Sequence, residues 1–291
     1  MKQVAIVTGG ASGIGLALGT ALVQRGWHVV LADLQDVAAK EHADRLTRQG
    51  PGSAIGVHVD VRDADAVTRL VESTHAEHGR LDLMVNNAGI AIAGEPEELE
   101  LVHWDRIIDV NLRGVIHGCH AAYPLMLRQG HGQILNVASS AGLIPSLGQM
   151  APYAATKFAV VGLSHALRTA GADHGIRVSV LCPGWIDTPL LDGAWPEDLP
   201  IPPSVASSPP IREILAKGGV RIYPADRLAE DTLRGLERNK SVLVIPSEMH
   251  RTWLLFRLVP GLVESKVVAM TRAGRKTVGH AAPVGEAKQS A

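Results

Sequence analysis

Hydrophobic and polar positions alternate along this chain in blocks. Short apolar runs recur at Val4–Val7, His28–Ala32, Ala54–Val59, Leu81–Val85, Gln133–Val137, Val178–Cys182 and Val242–Ile245. Runs of this length, nearly free of charge, predict strands buried on both faces of a sheet. Between them lie longer stretches with helical periodicity: Leu16–Arg25, Gln35–Gln49, Asp63 to about Glu77, Trp104–Gly118, Tyr153 to about Asp173, and Tyr223–Glu237. Strands alternating with helices across short turns predict an α/β fold, a doubly wound parallel sheet of about seven strands with helices on both faces.

The first strand runs into Thr8-Gly-Gly-Ala-Ser-Gly-Ile-Gly15, and a helix follows directly. Glycines let backbone N–H groups approach a phosphate, and the helix N-terminus adds unpaired donors and a favourable dipole. Gly9, Ser12, Gly13, Ile14 and Gly15 are therefore candidate dinucleotide ligands. The second strand ends at Asp33. A carboxylate there can accept hydrogen bonds from an adenosine ribose and repels a 2′-phosphate. No Lys or Arg stands at positions 11, 12, 34 or 35 to attract that phosphate, so NAD is favoured and NADP is not excluded. Capping of the next helix is the competing structural role for Asp33.

Composition narrows the class. The chain has 291 residues, 46% of them hydrophobic, which suffices for one large α/β domain. A net charge of −1 gives no basic surface for nucleic acid. Cys119 and Cys182 lack paired or metal-like spacing, the histidines form no ligand pattern, and no metal is expected. The chain opens on its first strand, with no signal peptide expected, and no apolar run reaches the length of a membrane span. A cytoplasmic location is the expectation.

The chemistry centres on Tyr153-Ala-Ala-Thr-Lys157 at the start of a helix. Residues four apart share one face, so phenol and ammonium point the same way. A phenol is a poor base at neutral pH, and a neighbouring ammonium with a cationic nicotinamide is expected to lower its pKa. Tyr153 can then take a proton from an alcohol or return one to a carbonyl, while Lys157 holds the nicotinamide ribose. Ser139, at the end of the fifth strand, is the candidate donor to the reacting oxygen.

Together the Thr-Gly-x-x-x-Gly-x-Gly turn, Asn86-Asn87-Ala88-Gly89 and Tyr153-x-x-x-Lys157 resemble the short-chain dehydrogenase/reductase family over about residues 1–248. The resemblance implies a dinucleotide-dependent oxidoreductase acting on a CH–OH group, a secondary alcohol and ketone or a primary alcohol and aldehyde. It places Asp60 and Val61 beside the adenine, with helix capping as the alternative for Asp60. It places Asn87, Ala88 and Gly89 along the cofactor, where the Asn amides can tie neighbouring strand ends together. Asn111, a poor helix former in mid-helix, signals a local backbone interruption or a bound water, and the resemblance gives it a water in a proton relay. It sets Pro183, Gly184, Ile186 and Thr188 around the nicotinamide. The gap from Ser139 to Tyr153 is one residue longer than usual, and Ser140 would keep the common gap. Ser139 is preferred because it follows Asn136 and precedes Gly142 as the family pattern requires, which puts the extra residue between Leu143 and Pro152. The alternatives are an NADPH-dependent biosynthetic ketoreductase and a catalytically silent dinucleotide-sensing regulator. Retention of Tyr153 and Lys157 argues against the silent regulator.

The resemblance places a substrate lid over the Pro-rich stretch at about 189–220, and its apolar composition suggests an apolar alcohol or ketone. The resemblance implies subunit contacts through Tyr223–Glu237 and Val242–Ile245, so a homodimer or homotetramer is expected. Residues 249–291 extend beyond the family core. Trp253–Val259 and Leu262–Met270 form two short apolar segments around Pro260-Gly261, interleaved with Arg and Lys. Packing against a subunit or over the active site is the favoured reading, peripheral membrane contact through 250–272 the lesser one. From about Gly274 the tail is expected to be disordered.

Overall fold

The computed structural model of the chain describes residues 2–193 and 195–277, with side chains described through Arg272. Seven parallel strands form one sheet in the order β3-β2-β1-β4-β5-β6-β7. They are β1 Val4–Thr8, β2 His28–Asp33, β3 Ser53–His58, β4 Leu83–Asn86, β5 Gly132–Val137, β6 Ile176–Pro183 and β7 Val242–Ile245. Each falls within a residue or two of the run that predicts it. The strand order reverses between β1 and β4, which opens a crevice at the carboxyl ends of these strands.

Helices α1 (Gly13–Gln24) and α2 (Asp36–Gln49) follow β1 and β2. Together with α9 (Ala225–Glu237) they cover one face, where Leu18, Leu22, Leu46, Leu228 and Leu233 meet Val7, Leu31 and Val85. The other face is covered by α3 (Ala64–His78), α5 (Gly114–Gln129) and α6 (Ala151–Gly171). There Val67, Val71, Cys119, Ala122 and Val160 meet Ile6, Met84 and Ile134. Burial on both faces is why the strands read as continuous apolar runs rather than alternating ones.

The single helix expected over Trp104–Gly118 is instead two. Helix α4 spans Leu101–Ile108, a wide π turn occupies Asp109–Arg113, and α5 runs on to Gln129. Gly118 is not a stop. A Cβ there would lie 1.8 Å from Asn86 Oδ1, so glycine is needed for close helix–strand packing. Helix α5 ends at Gly130, which adopts a left-handed conformation (φ 71°) as its cap.

The lid region carries a 3₁₀ turn at Pro189–Asp192 and short helices α7 (Pro203–Ala206) and α8 (Ile211–Lys217). Beyond β7 come α10 (Ser247–Leu258) and α11 (Pro260–Thr277). Helix α11 thus continues past the expected disorder boundary at Gly274, and the remainder of that tail lies outside the described residues. No helix among the described residues is long and apolar enough to cross a membrane.

Candidate active site

The sequence-predicted site residues converge on the carboxyl ends of the strands. Gly9 to Gly15 form the β1–α1 turn, with Ser12 as the N-cap of α1. The Ser12 hydroxyl makes no capping hydrogen bond, and the first-turn amides of Gly13, Ile14 and Gly15 have no partner within the helix. A Cβ on Gly15 would lie 2.0 Å from the Gly9 carbonyl oxygen, so only glycine lets the turn fold this tightly. Asp33 closes β2 over the same turn. One of its carboxylate oxygens accepts from Ala11 N at 2.9 Å, the other from Gln35 N at 2.9 Å. Asp33 therefore ties the glycine turn to β2, while Gln35 occupies the N-cap of α2. The donor-rich helix end, the tight turn and the adjacent carboxylate together fit a dinucleotide.

Asp60 and Val61 follow β3. The Asp60 carboxylate is gripped by the Arg62 guanidinium at 2.6–3.0 Å, and this hydrogen bonding holds its pKa below the usual carboxylate range. It is not the cap of α3. That role falls to Asp63, whose side chain accepts from Asp65 N and Ala66 N. Val61 is buried, and its carbonyl pairs with His117 Nδ1 at 2.9 Å.

Asn87 and Ala88 anchor the loop after β4. The Thr8 hydroxyl accepts from both of their backbone amides, at 3.0 and 3.1 Å. The Asn87 side chain donates to the Thr8 and Gly9 carbonyls at 2.9 and 3.2 Å. The expected tying of neighbouring strand ends is present, and Asn86 extends it by donating to Asn136 at 2.8 Å. Asn111 lies in the π turn, fully buried. Its amide pairs with both backbone groups of Ile90, at 2.8 and 2.9 Å. The backbone interruption expected from a mid-helix Asn is the π turn itself. Gly89 sits between Asn111 and Lys157: a Cβ there would be 3.3 Å from Asn111 Oδ1 and 3.5 Å from Lys157 Nζ.

Tyr153 and Lys157 occupy the first two turns of α6. The ammonium lies over the phenol ring, 5.4 Å from its centroid, and donates to the Val137 carbonyl at 3.1 Å. Ser139 follows β5 and accepts from Ala141 N at 3.1 Å. Burial raises the Tyr153 pKa above its ordinary value, while a side-chain interaction with Ser139 opposes the rise. Burial pushes Lys157 down to about 8. Burial thus dominates at the phenol, and the lowering expected from Lys157 together with a cationic nicotinamide stands as an expectation for the cofactor-bound site. Burial also pushes the Cys119 and Cys182 thiols up to about 12, as befits packing residues.

After β6, which ends at Pro183, the loop carries Gly184, Ile186 and Thr188. Ile186 is buried and bridges to Tyr223, and the Thr188 side chain lies against the glycine turn at Gly13. Sequence reasoning missed the residues that hold the segment 189–220. Arg212 of α8 binds Asp187 at 2.6 Å, Asp192 at 2.5 Å and the Thr188 carbonyl at 3.2 Å. Arg106 grips both oxygens of Asp198. Buried His103 joins Glu100 N to the Pro200 carbonyl, at 3.0 and 2.8 Å. Their partners lie too far along the chain for any local signal. Ile90, Ile92, Leu99 and Ile107 gather with the lid residues Trp195 and Leu199 against Tyr153, forming a separate apolar cluster.

Residues 3–198 match the family model described as short chain dehydrogenase. The chain belongs to the short-chain dehydrogenase family. It is 38% identical over 193 residues to D-threitol dehydrogenase of Mycolicibacterium smegmatis, covering 66% of this chain and 74% of the relative. It is 37% identical over 203 residues to 2-(R)-hydroxypropyl-CoM dehydrogenase of Xanthobacter autotrophicus, covering 69% and 80%. Cyclohexanol dehydrogenase of an Acinetobacter species is 38% identical over 191 residues, covering 65% and 75%. A solved short-chain dehydrogenase/reductase from Burkholderia phymatum, in complex with NAD, superposes with a TM-score of 0.81 at 28% identity, covering 90% of this chain and 95% of that one. This dehydrogenase is an NAD(P)-dependent oxidoreductase of alcohols and ketones.

Proposed function

We propose that this dehydrogenase uses NAD to interconvert an apolar secondary alcohol and its ketone, with Tyr153 as the general acid/base. One observation carries the reading. The Tyr153 side chain interacts with Ser139, carries the Lys157 ammonium over its ring, and packs against an apolar cluster that includes Leu199. Bound NAD supplies the hydride acceptor and a positive nicotinamide charge. Ser139 donates a hydrogen bond to the substrate oxygen and fixes it beside the phenol. Tyr153 takes the hydroxyl proton in oxidation and returns it in reduction. Lys157, anchored on Val137, orients the ribose and favours the phenolate, and Asn111 supports a proton path through water. Excluding water from the apolar chamber strengthens these interactions.

The glycine turn, Asp60 and Val61, Asn87 to Gly89, and the loop from Pro183 to Thr188 are assigned to the cofactor. Preference for NAD rests on Asp33, whose carboxylate would face a 2′-phosphate across the turn. Residues 1–248 are assigned to one catalytic domain with a lid at about 189–220, and 249–291 to an extension. A cytoplasmic homodimer or homotetramer is the proposed form. The test is a panel of aliphatic, alicyclic and small polyhydroxy alcohols with each cofactor, read by absorbance of the reduced nicotinamide. Turnover of alicyclic or aliphatic alcohols with NAD is the expected result. Exclusive turnover of small charged alcohols would reject the apolar reading, and a preference for NADP would reject the role given to Asp33.

A further inference from the structure

The helix that carries Tyr153 starts without a side-chain cap. Met150 holds the N-cap of α6 and offers no oxygen to the first-turn amides. The start of α6 is instead tied down through the turn before it, a 3₁₀ turn at Gly148–Met150. Gln149 in that turn is held twice by one short segment after β4. Its carbonyl accepts from Gly94 N at 2.9 Å, and its side-chain amide donates to the Glu95 carboxylate at 2.7 Å. Glu95 is 2% exposed. An amide bond to a buried carboxylate is stronger than one between neutral groups, and removing the donor weakens the hold on a group that water does not reach.

The other side of the same segment meets the lid. Ser204 of α7 is buried. Its hydroxyl accepts from Glu95 N at 3.1 Å, and both its amide and its hydroxyl donate to the Glu98 carboxylate. A Cβ on Gly94 would lie 3.3 Å from Pro202 Cγ, so lid and segment are in close contact. Leu99, next along the chain, joins Tyr153 at the apolar cluster. Residues 94–98 thus hold the lid through Ser204 and the turn before Tyr153 through Gln149.

We propose that Gln149 is a positioning residue, whose grip on Glu95 sets where α6 begins and so where the Tyr153 hydroxyl stands against the substrate oxygen. Ser204, on the other side of the segment, holds the lid and has no part in that placement. Proton and hydride transfer need their atoms aligned, and a displacement of about 1 Å can cost about a hundredfold in rate. The gap from Ser139 to Tyr153 is one residue longer than is usual in the family, and Gln149 lies in the loop that takes up the difference. A tie at this point keeps the longer loop from loosening the start of the helix. A bond that merely kept residues 94–98 folded would make Gln149 and Ser204 variants behave alike, whereas a positioning role separates them. The inference rests on the reading of Tyr153 as the general acid/base and of 189–220 as the lid.

Full-length enzyme is assayed at saturating NAD with an alcohol the wild type oxidises. Gln149→Met, similar in shape but without a donor, should lower kcat about tenfold with KM within about threefold of wild type. Gln149→His, which returns an N–H at similar reach, should recover most of that loss. Ser204→Ala should do the reverse, raising KM several-fold with kcat within about twofold. NADH affinity, read by fluorescence titration, should stay within about threefold in each. Thermal melting checks folding, and Gln149→Asn, whose amide is one methylene short of Glu95, replaces Gln149→Met if that variant does not fold. Wild-type kcat in the folded donor-deleted variant overturns the proposal, as do matching changes in the Gln149 and Ser204 variants. Tyr153→Phe assayed alongside separates the two levels. Substantial turnover there removes the acid/base reading and this inference with it, whereas an inactive Tyr153→Phe beside an unimpaired Gln149→Met overturns this inference alone.

Discussion

The floor of the site and its lid are held by different kinds of interaction. On the floor, the groups that set geometry are bound to the backbone: Asp33 to Ala11, Asn87 to Thr8 and Gly9, Asn111 to Ile90, Lys157 to Val137. Each side chain is buried or half-buried, so breaking the bond leaves a polar group without water. The 189–220 segment also has buried ties, His103 to the Pro200 carbonyl and Ser204 to Glu98, but unlike the floor it adds charged pairs at the surface, Arg212 with Asp187 and Asp192, and Arg106 with Asp198. Exposed pairs contribute little, because water and salt screen them. The floor is thus tied by buried bonds alone, whereas the segment proposed as a substrate cover is held in part by surface pairs that give way easily.

The floor should break first. Gly15→Val places a side chain where the Gly9 carbonyl already stands, and the expected outcome is loss of NADH binding by more than ~100-fold, or of folding. Fluorescence titration and thermal melting read the two. Lys157→Met is next. The folded pKa of Lys157 is about 8 against an ordinary 10.5, so between these values the unfolded chain binds the extra proton. Wild-type stability should therefore rise as pH climbs from 8 towards 10.5, by about 3 kcal/mol in total. In Lys157→Met that rise should vanish, which denaturant melts at pH 7, 8, 9 and 10 would show. A flat wild-type profile would mean the ammonium is solvated.

Asp33→Ala should reduce NAD affinity by roughly 10- to 100-fold, the loss of one or two charged hydrogen bonds, and narrow the preference over NADP. Unchanged affinity ratios would remove Asp33 from cofactor choice. The smallest effect is expected at the lid. Arg212→Ala should leave folding stability nearly unchanged while raising KM several-fold, with kcat nearly constant. A large fall in kcat would show that the lid takes part in the chemistry and erase the contrast with the floor.

The same contrast governs what the sequence reveals. The sheet was legible because its strands, buried on both faces, leave uninterrupted apolar runs, and the glycine turn because its tightness excludes other residues. Asn111 was legible as an interruption, though not as a π turn paired with Ile90. The lid clamps were not. Arg106 and Asp198 are nearly a hundred positions apart, and neither stands out among surface charges. The burial of the Tyr153 and Lys157 pair was hidden for a related reason. Spacing places Lys157 beside Tyr153 but says nothing about how completely both are desolvated.

The central claim is that the Tyr153 hydroxyl moves the proton beside a bound nicotinamide. Turnover and cofactor binding measured together in Tyr153→Phe test it most directly, using an alcohol the wild type oxidises. The account predicts a loss of kcat by about a thousandfold or more, with NAD affinity within about threefold of wild type. Turnover within tenfold of wild type, with NAD still bound, would contradict it.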